Sequence, residues 1–118
     1  MSKKYTWHKI AEHINELNFA NNNIAVVEVD GKKICVAKHA DVLFAFAYKC
    51  PHAGAPLSTG HIDAMGNVVC PFHHYRYDMK SGRNVSGEGY HLKNWPVENR
   101  EGVIYVGMEA GGFFSLFK

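Results

Sequence analysis

Long apolar runs are missing from this 118-residue chain, and so is a marked excess of either charge. Without roughly eighteen consecutive apolar residues, no segment reads as a membrane-spanning helix. The opening MSKKYTWHKIAEHINEL carries two lysines with no apolar stretch behind them, so it lacks the pattern of a secretory signal and a cytoplasmic location is expected. The 13 basic and 11 acidic residues are mixed along the chain and leave a net charge of only +2, which provides no basic block for nucleic acid or an anionic membrane. Cysteine is scarce, and 3 residues do not make a disulfide framework. Repeats, low-complexity tracts and linker-like stretches are absent too, as is any flavin or nicotinamide fingerprint, so one domain over 1–118 is expected.

What is present is an ordinary globular balance, 47% hydrophobic and 20% charged, enough for a modest core. The apolar segments are short and interrupted by turn residues, which favours strands. Ile24–Val29, the pair Asp30-Gly31 and residues 34–37 read as a tight hairpin, because Asp-Gly accepts the positive φ such turns need. A third strand is expected over 42–48. Residues 95–98 and 103–106 flank the turn sequence NREG, and DMKSGR at 78–83 looks like a further reversal. Only residues 10–17, where Ile10, Ile14 and Leu17 share a face, suit a helix. The tail GGFFSLFK puts Phe113 and Phe117 on one face of a strand and Phe114 and Leu116 on the other, as a final core strand would. The expected class is all-β. Cys35, in KKICVAK, reads as a small buried hydrophobe.

Two stretches carry chemistry. KCPHAGAPL holds Cys50 and His52 one residue apart, and CPFHHYRYD holds Cys70 and His73 two apart. Each pair follows an expected strand, the second one Asn67–Val69, and therefore sits in a loop. Pro51 and Pro71 fix φ just after each cysteine, while Gly54, Pro56 and Gly60 mark bends, so both loops are stiffened. Two Cys and two His suit a tetrahedral zinc site or an iron-sulfur cluster with mixed ligands. Spacing does not choose between them.

CPHAGAPLSTG followed by CPFHHYRYDMKSGR resembles the two cluster-binding boxes of Rieske proteins, with residues 53–69 between His52 and Cys70. Trp7, the strand before Cys50 and LKNWPV at 92–97 extend the resemblance to the small soluble Rieske ferredoxins. It implies an antiparallel β-sandwich with a cluster-binding subdomain formed by two loops, about 48–60 and 69–78. It also implies one 2Fe-2S cluster, with Cys50 and Cys70 on one iron and His52 and His73 on the other. Leu57 would cover the cluster, and the histidine side would face a redox partner. His74 stands where the second box often has glycine, and a surface or supporting role is expected of it. Ala55 and Phe72 occupy positions where respiratory-complex members carry an extra cysteine, so the disulfide joining those loops cannot form. Tyr75 replaces a serine that bonds a cluster sulfur, whereas Tyr77 matches the family's tyrosine. VSGEGYH at 85–91 stands in for a proline-rich cover and has glycines instead. His8, His13, His39, His61 and His91 are expected at surface or satisfied positions.

The resemblance implies an electron carrier rather than an enzyme. It would take one electron from a reductase, flavin-dependent in the usual arrangement, and pass it to an oxygenase or similar acceptor. A catalytic oxygenase subunit needs a second iron in a separate domain, for which 118 residues leave no room. Two other readings stay open, the small subunit of an assimilatory nitrite reductase and a structural zinc domain.

Overall fold

The structure, a computed structural model, describes residues 5–52, 54–72, 74–87 and 89–109. Within these lie ten strands: β1 (Tyr5–Ala11), β2 (Ile24–Val29), β3 (Lys32–His39), β4 (Val42–Ala47), β5 (His61–Ile62), β6 (Asn67–Val69), β7 (Arg76–Asp78), β8 (Asn94–Trp95), β9 (Val97–Arg100) and β10 (Val103–Glu109). They form three antiparallel sheets, ordered β1-β10-β9, β2-β3-β4-β8 and β5-β6-β7. The described residues contain no α-helix, and no helix among them is long and apolar enough to cross a membrane. The all-β expectation holds. The tail 110–118, with Phe113, Phe114, Leu116 and Phe117, lies outside the described residues.

The β2-β3-β4-β8 sheet is the middle layer, and the sequence of β3 shows why. Side chains alternate across a strand, so one buried on both faces must be apolar throughout. Residues 34–37, Ile-Cys-Val-Ala, are all buried. Ile34 and Val36 join Ala11, Val29, Ala45, Trp95, Ile104 and Val106 in a core against β1-β10-β9. Cys35 and Ala37 point the other way, with Phe46, into a second core that contains Cys50, Leu57, Cys70, Tyr77 and Leu92. Burying each large aliphatic side chain contributes about 1.5–3 kcal/mol. The second core thus ties the loop subdomain to the sandwich.

Two-residue turns set the register. Asp30 and Gly31 have φ of 53° and 79°, and Glu101 and Gly102 have 54° and 96°, the double positive φ of a type I′ hairpin. Both expected hairpins form, with Val29 opposite Lys32 and Arg100 opposite Val103. The DMKSGR reversal also forms, its Asp78 N–H donating to the Arg83 carbonyl at 2.8 Å and Tyr77 bridging to Asn84.

Two expectations are corrected. Residues 10–17 are not a helix, because Tyr5–Ala11 spends its backbone hydrogen bonds on β10. A register shift between Lys9 and Ala11 breaks the two-residue alternation that would have marked the strand, and only a 3₁₀ turn, Ile14–Glu16, follows. Ile10, Ile14 and Leu17 still reach one core, from a strand end and a turn instead of a helix face. The run 95–98 is likewise not one strand. Trp95 pairs with Ala45 in the middle sheet and Val97 with Val106 in the outer one. Pro96 between them has no N–H for either ladder, and its carbonyl accepts from Gly107 at 2.9 Å, so the chain changes sheets there.

Candidate metal centre

The two cysteine loops are built alike. Loop one leaves β4 and is clamped by a Lys49–Pro56 bridge and by the Leu57 N–H on the Tyr48 carbonyl at 2.7 Å. Inside it the Cys50 N–H donates to the Ala55 carbonyl at 2.8 Å. Loop two leaves β6 and enters β7, and the Cys70 N–H donates to the Tyr75 carbonyl at the same 2.8 Å. The residue before each acceptor has positive φ, 73° at Gly54 and 58° at His74. That left-handed step explains why glycine suits the position His74 holds, and it places an exposed His74 at a bend. Gly60 ends loop one where a Cβ would collide with the Val69 carbonyl, so loop one and β6 touch backbone to backbone just before Cys70.

Both thiols are buried, Cys50 at 2% exposure and Cys70 at 0%. Burial pushes the Cys70 thiol up, the Phe72 N–H opposes this, and the adjacent Cys50 raises it further. Burial and the neighbouring thiol thus disfavour the Cys70 thiolate, and a bound cation would favour it. Polar groups reach both sulfurs: the Tyr77 hydroxyl lies 3.3 Å from Cys50 Sγ, and the Phe72 N–H donates to Cys70 Sγ at 3.4 Å. Tyr77 is itself fully buried, and burial first, then Cys50, holds its phenol above the ordinary value. It stays protonated and so is able to donate to that sulfur.

The described histidine of the site is held by aromatic rings. Tyr75 stacks on His52 with centroids 4.1 Å apart and planes at 26°, and Tyr90 meets His52 edge-on at 5.3 Å and 65°. Tyr75 belongs to loop two, so this stack joins the loops across the site. Val85 and Ser86 are anchored by the Val85 N–H on the Arg76 carbonyl and by the Arg76 N–H on Ser86 Oγ, both at 2.9 Å, and Tyr90 lies four residues beyond Ser86. Sequence reasoning read only glycines there and missed Tyr90; its signal was a lone aromatic among polar neighbours. His73 lies outside the described residues.

Cys50 and Cys70 share one buried cluster, and the stack on Tyr75 sets His52 against loop two; the described residues alone form no group of three His, Cys, Asp or Glu side chains that could hold a metal ion. Leu57, at 0% exposure, sits in the same apolar cluster as both cysteines. Cys35 is buried in that cluster too, and burial raises its thiol to about 12, as expected of a packing residue. His13 caps the 3₁₀ turn by accepting the Asn15 N–H at 3.1 Å, and His61 and His91 are exposed. The donor set fits a mixed-ligand iron-sulfur cluster: two desolvated thiols with hydrogen-bond donors on them, and an imidazole fixed nearer the surface.

Comparison with known proteins agrees with this arrangement. The family model Rieske [2Fe-2S] domain matches residues 6–96. The cholesterol 7-desaturase nvd of Bombyx mori is 28% identical over 114 residues, covering 90% of this chain and 24% of that protein. The chain spans a quarter to a third of the length of such curated relatives. Among solved structures, a chain from the complex of reduced oxygenase and oxidized ferredoxin in carbazole 1,9a-dioxygenase superposes with TM-score 0.73 at 28% identity, covering 87% of this chain and 94% of that one. A nitrite reductase NADPH small subunit superposes with TM-score 0.73 at 21% identity, covering 86% and 97%.

Proposed function

Because the chain belongs to the Rieske [2Fe-2S] domain family, we propose that it is a one-electron carrier, taking electrons from a flavin-dependent reductase and passing them to an oxygenase in the cytoplasm. Its cofactor is one 2Fe-2S cluster. In this reading Cys50 and Cys70 hold one iron, and His52 and His73 hold the other. With two neutral imidazoles in place of two thiolates, the bound cluster is about two charge units less negative than a four-cysteine one and accepts an electron more readily.

The single observation that carries the proposal is the matched pair of loops. Each closes with a cysteine N–H on a carbonyl five residues on and buries its sulfur; the Phe72 N–H of loop two donates to Cys70 Sγ, and the Tyr77 hydroxyl of β7 lies beside Cys50 Sγ. The cysteines face the core, and His52 lies under the exposed rim of Tyr90. That polarity suits transfer at the histidine side. The near-complete overlap with a solved chain of the carbazole 1,9a-dioxygenase complex, at 28% identity, favours the ferredoxin role. The overlap with the nitrite reductase small subunit is of fold alone and supports the second reading more weakly.

The test is an anaerobic reductive titration of the iron-loaded protein. One electron per chain, a Rieske resonance on reduction, and reoxidation by an oxygenase component without oxygen consumption by the carrier alone are expected. Colourless protein that retains zinc and no labile sulfide would overturn the proposal. Stable co-purification with a nitrite reductase large subunit would replace it with the second reading.

A further inference from the structure

A second feature lies apart from the histidine side. An open groove of about 490 Å³ runs along the middle sheet where the start of β3, the end of β4 and β8 meet. Ala47, Tyr48 and Trp95 line it at the end of the sheet, together with Lys32, Lys33, Lys49 and Lys93 and without a single acidic side chain. Lys32 Nζ stands 5.8 Å from the Trp95 ring and Lys33 Nζ 5.6 Å from the Tyr48 ring. Among the described residues Lys32, Lys33 and Lys49 form no ion pair, although Glu28 faces Lys33 in register; Lys93 bonds Glu109 at 3.2 Å. A chain of net charge only +2 therefore concentrates four lysines, three of them outside any ion pair among the described residues, along one groove lined by two aromatic side chains.

We propose that this groove is a docking site for an acidic segment of a protein partner, one that lays an apolar side chain on the Tyr48 and Trp95 lining and its carboxylates on the lysines. Charge complementarity selects the occupant. Three or four ammonium groups spread along an open groove exceed what one small carboxylate satisfies, whereas alternating carboxylates on an extended segment match them. The site is coupled to the metal centre through the chain: the Tyr48 carbonyl holds Leu57, Lys49 bridges to Pro56, and Cys50 comes next. It shares no lining residue with the His52, Tyr75 and Tyr90 cluster, so a partner seated here leaves the histidine side open. One protein can be held on the cysteine flank while another is engaged at the histidines. The inference goes beyond the carrier reading, since binding at the groove is measured without any electron transfer.

The experiment titrates isotope-labelled holoprotein, in its oxidised state, with the synthetic peptide Glu-Glu-Phe-Glu-Glu and follows backbone amide and indole resonances. Saturable shifts at Lys32, Lys33, Tyr48, Lys49 and Trp95 are expected, abolished by molar salt and absent with Gln-Gln-Phe-Gln-Gln. The exposed double variant Lys32→Glu, Lys33→Glu should keep the visible spectrum and weaken binding about ten-fold or more. Should that variant not fold, Lys49→Gln must weaken binding about three-fold. No saturable shift, shifts confined to residues 52–56 and 72–76, unaltered affinity in the variants, or equal shifts from sodium benzoate or inorganic phosphate would each overturn the proposal, the last by making the groove a small-anion site.

Discussion

Tyr77 and Tyr75 show how two aromatic residues two positions apart take different work. Tyr77 points into the core with its hydroxyl 3.3 Å from Cys50 Sγ, while Tyr75 lies flat against His52. Donors to a cysteine sulfur stabilise the more negative reduced state and raise the potential. With the serine donor replaced by a stacked ring and the Tyr77 donor kept, the potential should fall in the low half of the Rieske range of about −150 to +300 mV. Tyr77→Phe should lower it further, and Tyr75→Ser should raise it; voltammetry of the three proteins at one pH checks both shifts, and an unmoved Tyr77→Phe refutes the hydrogen-bond account. The ligand histidines behave differently. His52→Cys or His73→Cys should lose the Rieske visible and electron-resonance spectra, because a thiolate restores the charge imidazole removed. His74→Gly should keep the spectrum and gain up to about 1 kcal/mol, since φ of 58° strains histidine and not glycine. Iron loss in His74→Gly would show that the wrong histidine was chosen. Cys50, His52, Cys70 and His73 could be proposed from the sequence because metal ligands must be particular residue types at particular spacings, and the shared burial of Cys50 and Cys70 is what the structure adds. Tyr90 was not, because ring contact with His52 demands proximity in space and nothing of the sequence between them.

At the scale of strands and turns, legibility followed the strength of the local signal. β3 announced itself by four buried residues in a row, and the Asp30-Gly31 and Glu101-Gly102 turns by a glycine that takes positive φ. β1 was hidden by its bulge and the β8–β9 break by a proline whose effect depends on two sheets being present. β5, only two residues long, has no periodicity to read. What holds that short strand is Asp63. Its carboxylate accepts the Met65 and Asn67 N–H groups at 3.0 and 2.9 Å, the Asn67 side chain at 3.0 Å and Arg76 at 2.7 Å, joining the β5–β6 turn to β7. Burial alone would raise this carboxyl, but the bonds from Asn67, Arg76 and Met65 outweigh it and leave it below the ordinary range. A depressed carboxyl contributes stability that is complete above the unfolded value, near 4, and lost as pH falls through the folded one. Asp63→Asn should therefore cost about 1–2 kcal/mol at pH 7, with the gap to wild type closing below about pH 4. Denaturant unfolding at several pH values measures the gap; a constant one would show that Asp63 acts by shape alone.

Across the whole molecule the two cores differ in what they need. The sandwich core, with Ile34, Val36, Ile104 and Val106, is closed by apolar side chains from two sheets and two hairpins. The loop core places Cys50 and Cys70 among its buried members, where burial and the neighbouring Cys50 raise the Cys70 thiol. No disulfide is possible at Ala55 and Phe72, so across the site itself the loops meet through the His52–Tyr75 stack. A site absent from the unfolded chain returns its binding free energy as folding stability. The iron-free protein should accordingly melt below the loaded form and lose the loop core first, while the β1-β10-β9 and β2-β3-β4 pairings persist. Limited proteolysis of the iron-free form should cut within about ten residues of Cys50 or Cys70, and amide exchange there should exceed exchange in β3 and β10. Equal melting temperatures for the two forms, or first cleavage inside β2–β3, would mean that the subdomain folds without its metal and that the sandwich alone sets the stability of the chain.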